Sequence, residues 1–341
     1  MISTINAVQK LTRFAERMLT PRILHFAKEQ IFWQCPGLTA CESSPSSLPV
    51  GVYGADTKLE LKWRRALHQD RLTDLDTADL NAIWQHIVRS YTSCNLTFSG
   101  DKLIALSGIA TAMQRGLEEK FLAGLWDATT VQDRPLADLG DQLCWTAKTG
   151  KKINGSPCVR YKDYRAPSWS WASLDGIVTL RDRIIERNPI PTFEIKAVSV
   201  TLQDEVWVTG PVKAEGSRLE LRVQTLPMEF KATSREWHRW EARCTSVDGE
   251  FTFDALMDDF DEVKSMSGDT DGSTILAEVV ILACDVPDGS YAGHGLVLKQ
   301  YEQGTDTCMY TRAGCVAFSG LAKGQWQDVV ERSAWRDIVL L

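Results

Sequence analysis

A chain of 341 residues, 44% hydrophobic and 24% charged, is long enough for two domains or one large one and can bury a sizeable core. A net charge of −7 gives no electrostatic footprint for nucleic acid, and the longest apolar run, Ile275 to Cys284, is too short to cross a membrane. Nine cysteines at irregular spacing, with no C-x-x-C pair, argue against a disulfide framework or a zinc site and for reduced thiols in a cytoplasmic protein.

Ile5, Val8, Leu11, Ala15, Met18 and Leu19 recur at helical spacing, and Pro21 stops the pattern. Ile23 to Trp33 reads as a strand or strand–turn, and Pro36 to Gly54 as a loop. Thr57 to Leu67, with Leu59, Leu61, Trp63 and Leu67, is ambiguous. Asp79 to Tyr91 carries the clearest helical stripe, Leu80, Ile83, Trp84, Ile87, Val88 and Tyr91, with Thr77 or Asp79 available as cap. Ser99 or Asp101 can cap the next helix, whose apolar residues from Leu103 to Met113 lie nearly all round and predict burial. Glu118 to Leu125 is read as a further short helix and Lys148 to Pro157 as a basic connection.

Tyr164 to Gly176 follows, with Trp169 and Trp171 alternating between small residues behind Pro167. The pattern predicts a short strand with both indoles on one face, closed by Asp175-Gly176. Thereafter the period becomes two. Thr192 to Leu202, Arg218 to Leu226, Thr274 to Ala283, Gly295 to Gln300, Thr307 to Phe318 and Trp335 to Leu341 read as strands. Residues 253–273 form an acidic stretch read as a solvated loop, and its Asp269-Thr270-Asp271-Gly272 misses the glycine position of a calcium loop. The expected fold is α+β: a helical part, residues 1–157, packed on an antiparallel β-unit, residues 158–341, of sandwich or barrel type.

Several blocks resemble, in order, the region that follows the HET domain in fungal heterokaryon-incompatibility proteins. Arg165-Ala166-Pro167-Ser168-Trp169-Ser170-Trp171 with Asp175-Gly176 resembles that family's tryptophan motif. Glu16 to Phe26 resembles Q-E-x-x-L-S-P-R-x-L-x-F, with Ala15 where the family has Gln, and Trp33-Gln34-Cys35 with Glu42 resembles W-x-C…x-E. Leu96 to Ala110 resembles L-T-x-x-x-D-K-L-x-A-L-S-G-I-A, while Ala123 to Trp126 and Leu143-Cys144-Trp145 resemble A-G-L-W and L-x-W. Gly295 to Leu298 and Tyr310 to Gly314 resemble G-L-x-L and Y-x-R-x-G. Because the first block starts at Glu16, the resemblance implies a chain lacking the N-terminal HET domain proper. It also implies a link to non-self recognition and programmed cell death.

The candidate ligand or partner residues are Arg22, Arg165, Trp169, Trp171 and Asp175; the candidate acid–base set is Glu16, Arg165 and Asp175. Each has a plainer reading. Two indoles are most simply core filling, which would require Arg165 and Asp175 to pair, and Glu16-Arg17 and Arg22 suit ordinary helix-end ion pairs. Five histidines form no H-E-x-x-H or H-x-H pair, and neither a phosphate loop nor a nucleophile elbow is present, so no metal and no cofactor are expected. Two readings follow. One is a non-catalytic interaction or regulatory module with a protein partner. The other is a stand-alone acid–base isomerase, cyclase or hydrolase of fungal small-molecule metabolism.

Overall fold

The computed structural model describes residues 12–48, 54–94, 96, 98–117, 119–127, 139–147, 158–181, 192–233, 238–267, 274–286, 289–301 and 308–341. The basic connection read at 148–157 and the end of the acidic stretch, 268–273, lie outside the described residues.

The N-terminal part opens with α1 (Thr12–Leu19) and a three-stranded antiparallel sheet, β1 (Ile23–Phe26), β2 (Ile31–Gln34) and β3 (Thr39–Cys41). The ambiguous stretch is helical, α2 (Ala55–His68), and its buried face mixes Leu61, Trp63 and Ala66 with Glu60 and Arg64. Next comes α3 (Thr77–Thr92), whose apolar stripe is buried as the spacing requires. Its cap is Asp76, not the expected Thr77 or Asp79, and its carboxylate accepts from the Asp79 N–H at 2.7 Å. A 3₁₀ turn at Ser99–Asp101 leads into the largely buried α4 (Lys102–Leu117).

The short helix read at 118–125 is instead a hairpin of β4 (Lys120–Leu122) and β5 (Leu125–Asp127). Its two-residue turn puts Ala123 at φ 49° and Gly124 at φ 108°, the positive values that a tight hairpin demands. After α5 (Leu139–Leu143), β6 (Thr146–Ala147) pairs with β9 (Val178–Thr179), and β7 (Val159–Arg160) with β8 (Leu174–Asp175).

The C-terminal part is a closed six-stranded antiparallel barrel with two added strands. Its strands are β11 (Arg218–Ala232), β12 (Arg239–Ser246), β13 (Gly249–Met257), β14 (Thr274–Asp285), β15 (Tyr291–Gln300) and β16 (Met309–Leu321). They run β11-β12-β13-β16-β15-β14, and the β14–β11 ladder closes the ring. β10 (Phe193–Ser199) and β17 (Ala334–Leu340) pair with the first half of β11. Thus the α+β fold and the barrel are as expected. β12 and β13 are additions to the sequence reading. So is α6 (Phe260–Met266), which Asp259 caps within the supposed acidic loop.

Alternation divides the core. Phe230, Phe253, Met257 and Phe318 fill one cluster with Trp326 of α7 (Lys323–Arg332), which stacks on Tyr291 at 5.4 Å. Leu219, Leu221 and Val223 of β11, with Leu296 and Leu298 of β15, join the other cluster, shared with the helices and the tryptophan motif. Strands with both faces apolar in this way seat the helical part on the barrel. No described helix is long and apolar enough to cross a membrane.

Candidate functional site

The tryptophan motif lies where these parts meet, and it is not the expected strand. Pro167 to Ser170 turns tightly, the Ser170 N–H donating to the Pro167 carbonyl at 2.9 Å. One 3₁₀ turn, Trp171–Ser173, follows, capped by the Ser170 hydroxyl, which accepts from the Ala172 N–H at 3.0 Å. Both indoles are core: Trp169 is 1% and Trp171 0% exposed. The Trp171 indole donates to the Gly124 carbonyl at 2.8 Å and meets Tyr91 edge-on, while the Ser170 hydroxyl donates to the Ala123 carbonyl. Trp145 in turn donates to the Trp169 carbonyl at 2.9 Å.

Arg165 and Asp175 are paired, as a filled seam requires. Arg165 Nη1 lies 2.8 Å from Asp175 Oδ1 and donates to the Ser99 carbonyl at 2.6 Å; Nε donates to the Ala172 carbonyl at 2.7 Å. The guanidinium stands over Tyr161, 4.6 Å from its ring centre, and Nη2 is buried with no hydrogen-bond partner among the described residues. Burial lowers its pKa and Asp175 works against that shift.

Beside it lies Lys102, which sequence reasoning missed as a site residue. Its ammonium is buried, donates to the Leu174 carbonyl and sits 5.5 Å from the Trp171 ring centre. Burial, reinforced by Arg165 and opposed by Asp175, brings its pKa down to about 7. Cys158 nearby is driven up to about 11, chiefly by burial. A lysine amine whose pKa is lowered toward neutrality suits proton transfer or nucleophilic attack.

Glu16 and Arg22 sit elsewhere, and the structure does not bring them into this cluster. Glu16 is exposed at the end of α1, where its carbonyl accepts from Thr20, while its neighbour Arg17 reaches Glu60 at 2.5 Å. Glu60 also holds buried His86, at 3.1 Å from Nε2. Arg22 is exposed near Cys35. Burial alone would raise that thiol's pKa, but the Gly37 and Leu38 N–H groups, Trp33 and Arg22 outweigh it, and the net shift is downward.

A second polar knot was not singled out from sequence. Arg312, fully buried, donates to both carboxylate oxygens of Asp258, at 2.8 and 3.1 Å, and to the Leu143 and Trp145 carbonyls. Its guanidinium lies 3.3 Å from a Trp145 ring centre. Arg160 makes two bonds to Glu262, at 2.7 and 3.1 Å, and one to the Arg312 carbonyl at 2.7 Å. Burial works to lower the Arg160 pKa, but Glu262, Asp258 and Asp259 outweigh it and the net shift is upward. Ser168 closes the knot, its hydroxyl accepting from the Arg312 N–H at 3.0 Å. The Y-T-R-A-G block was the one signal that marked Arg312.

Among the described residues, no group of three or more His, Cys, Asp or Glu side chains could hold a metal ion. No family model matches the chain, and neither a curated protein nor a solved structure matches it.

Proposed function

We propose that this chain is a HET-like, non-catalytic interaction or regulatory module that engages a protein partner in fungal non-self recognition and programmed cell death. One observation carries the reading: the blocks that resemble that family meet in space and hold one another. Arg165 binds the Ser99 carbonyl, Lys102 the Leu174 carbonyl, Trp171 the Gly124 carbonyl, Trp145 the Trp169 carbonyl, and Arg312 those of Leu143 and Trp145. Short blocks far apart in sequence but mutually hydrogen-bonded behave as one frame, and a frame leaves recognition to the surface around it. The test is genetic. One of two fusing fungal strains would express the chain, and vital-dye uptake would be scored in the fused cells. Death that requires the chain is the expected result; fusion with full survival would reject the reading.

A second reading, an acid–base enzyme of small-molecule metabolism, has Lys102 in its favour, since an amine with a pKa near 7 suits proton transfer or imine formation. Borohydride trapping with aldehydes and ketones, followed by mass spectrometry, decides it. A covalent adduct on Lys102 supports an enzyme; an unmodified Lys102 removes the support.

A further inference from the structure

The barrel carries a cleft that none of the motif blocks explains. The parallel contact between β16 and β17 is two residue pairs long, Met309 with Val339 and Tyr310 with Leu340. Upstream of it, β17 residues 336–338 line a cleft of about 1010 Å³ together with β11, β14, β15 and the end of α6. That volume is at the upper end of small-molecule sites, about 300–1,000 Å³. Met228, Met266, Leu298 and Ile338 give it apolar walls, and methionine adapts its shape to varied ligands.

Glu278 is the carboxylate in the cleft that Arg336 and Tyr310 neighbour. Its Oε1 stands 3.9 Å from Arg336 Nη1, an ion pair too long for a hydrogen bond. Its Oε2 is buried and has no hydrogen-bond partner among the described residues. Arg336 bonds the Tyr310 side chain instead, and burial, with Glu278 adding to it, raises the Tyr310 pKa, so the phenol keeps its proton. Among the described lining residues, Glu229, Glu278 and Asp337 meet Lys299 and Arg336, and Glu229 is paired outside the cleft with Lys231 at 3.5 Å. Lys299 is already engaged with the Ser265 hydroxyl at 3.1 Å. A carboxylate oxygen shielded from water and lacking a donor is a defect that a cationic N–H on an apolar stem would repair.

We propose that this cleft binds a small organic cation, an amine or guanidine on an aromatic or branched aliphatic body, with Glu278 as its counter-charge. The proposal is independent of the HET-like reading. It is tested by calorimetric titration of the full chain with phenethylamine and tryptamine, beside their carboxylate counterparts 3-phenylpropionate and indole-3-propionate. The amines should bind, and the carboxylates should bind at least about tenfold more weakly, the usual scale for a charge-assisted hydrogen bond. Glu278→Gln should weaken amine binding by about tenfold at an unchanged melting temperature. Arg336→Ala, which removes the competing cation, should tighten it, and this arm stands even if the Gln variant fails to fold. A role confined to structure would not make binding tighter. No amine binding up to about 10 mM, equal binding of amines and carboxylates, or an Arg336→Ala variant that binds no better would overturn the proposal.

Discussion

Lys102 shows how much one residue's surroundings decide. Its ammonium is fully buried, the charge that acts on it most strongly is another cation, Arg165, and Asp175 is already paired with that arginine. The folded state therefore binds the Lys102 proton less tightly than the unfolded chain, whose lysine keeps its ordinary value of 10.5. Below about pH 7 both states are protonated and the folded state carries the whole burden of a buried charge. As pH rises from there toward 10.5, the folded state sheds its proton first and stability increases. His25 and His68, both lowered from 6.5, act below the window from pH 7 to 9, and Cys158, raised to about 11, acts above it. Cys35, lowered from 9.0, acts within it but equally in wild type and Lys102→Met, so the difference between the two proteins reports Lys102. Wild-type protein should gain about 2 kcal/mol of unfolding free energy across that window. In Lys102→Met most of this gain should vanish. Urea titrations at both pH values measure it, and equal pH slopes for the two proteins would show that the ammonium is not depressed.

At the scale of elements, the β4–β5 turn and the 3₁₀ turn of the tryptophan motif are built against each other. A Cβ on Gly124 would come within 2.9 Å of the Trp171 indole, and the backbone there has φ 108°. Trp171 cannot retreat, being fully buried and tied to the Gly124 carbonyl. Gly124→Ala should therefore cost about 2–5 kcal/mol, the sum of backbone strain and overpacking, read as a shift in the urea midpoint. A shift equivalent to less than about 1 kcal/mol would mean that the two turns are not in rigid contact. This pair also explains what the sequence concealed. Helix α3 was legible because its stripe is purely apolar. Helix α2 was not, because Glu60 and Arg64 occupy buried positions, Glu60 engaged by Arg17 and His86, and Arg64 by the Thr20 and Pro21 carbonyls. Tryptophans two apart imitate a strand, yet here the spacing serves a turn whose flanking indoles both pack inward. Leu122-Ala123-Gly124-Leu125 lacks the Asn-Gly or Asp-Gly that announces a hairpin, so the turn passed for helix. Pairing of Arg165 with Asp175 followed from the sequence once burial was assumed. The partners of Arg312, by contrast, come from segments about 54 and 167–169 residues away, beyond any local pattern.

At the scale of the molecule, the question is what couples the helical part to the barrel. Arg312 on β16 reaches Asp258 beside α6 and the carbonyls following α5, and Arg160 on β7 reaches Glu262 on α6. Arg312 therefore ties segments from both parts, while Arg160 braces the tryptophan motif, through the Ser173 hydroxyl, against α6. Removing one member of such a buried pair strands the other, a loss of about 3–5 kcal/mol, whereas replacing both with apolar groups is often close to neutral. Arg312→Met should show that full loss. Arg312→Met combined with Asp258→Leu should recover part of it, but not all, because the Leu143 and Trp145 carbonyls lose their donors in either variant. Coupling has its own readout. Seven of the twelve tryptophans, Trp33 to Trp171, lie in the helical part or in the motif packed against its core, so fluorescence weights that side of the seam, while far-ultraviolet dichroism weighs in the barrel strands. The two signals should change together in the wild type and separate in Arg312→Met, the helical part losing structure first. Coincident transitions in the variant, with only a lower midpoint, would mean that the shared apolar cluster of Leu219, Leu221 and Val223 couples the parts and that Arg312 merely adds stability.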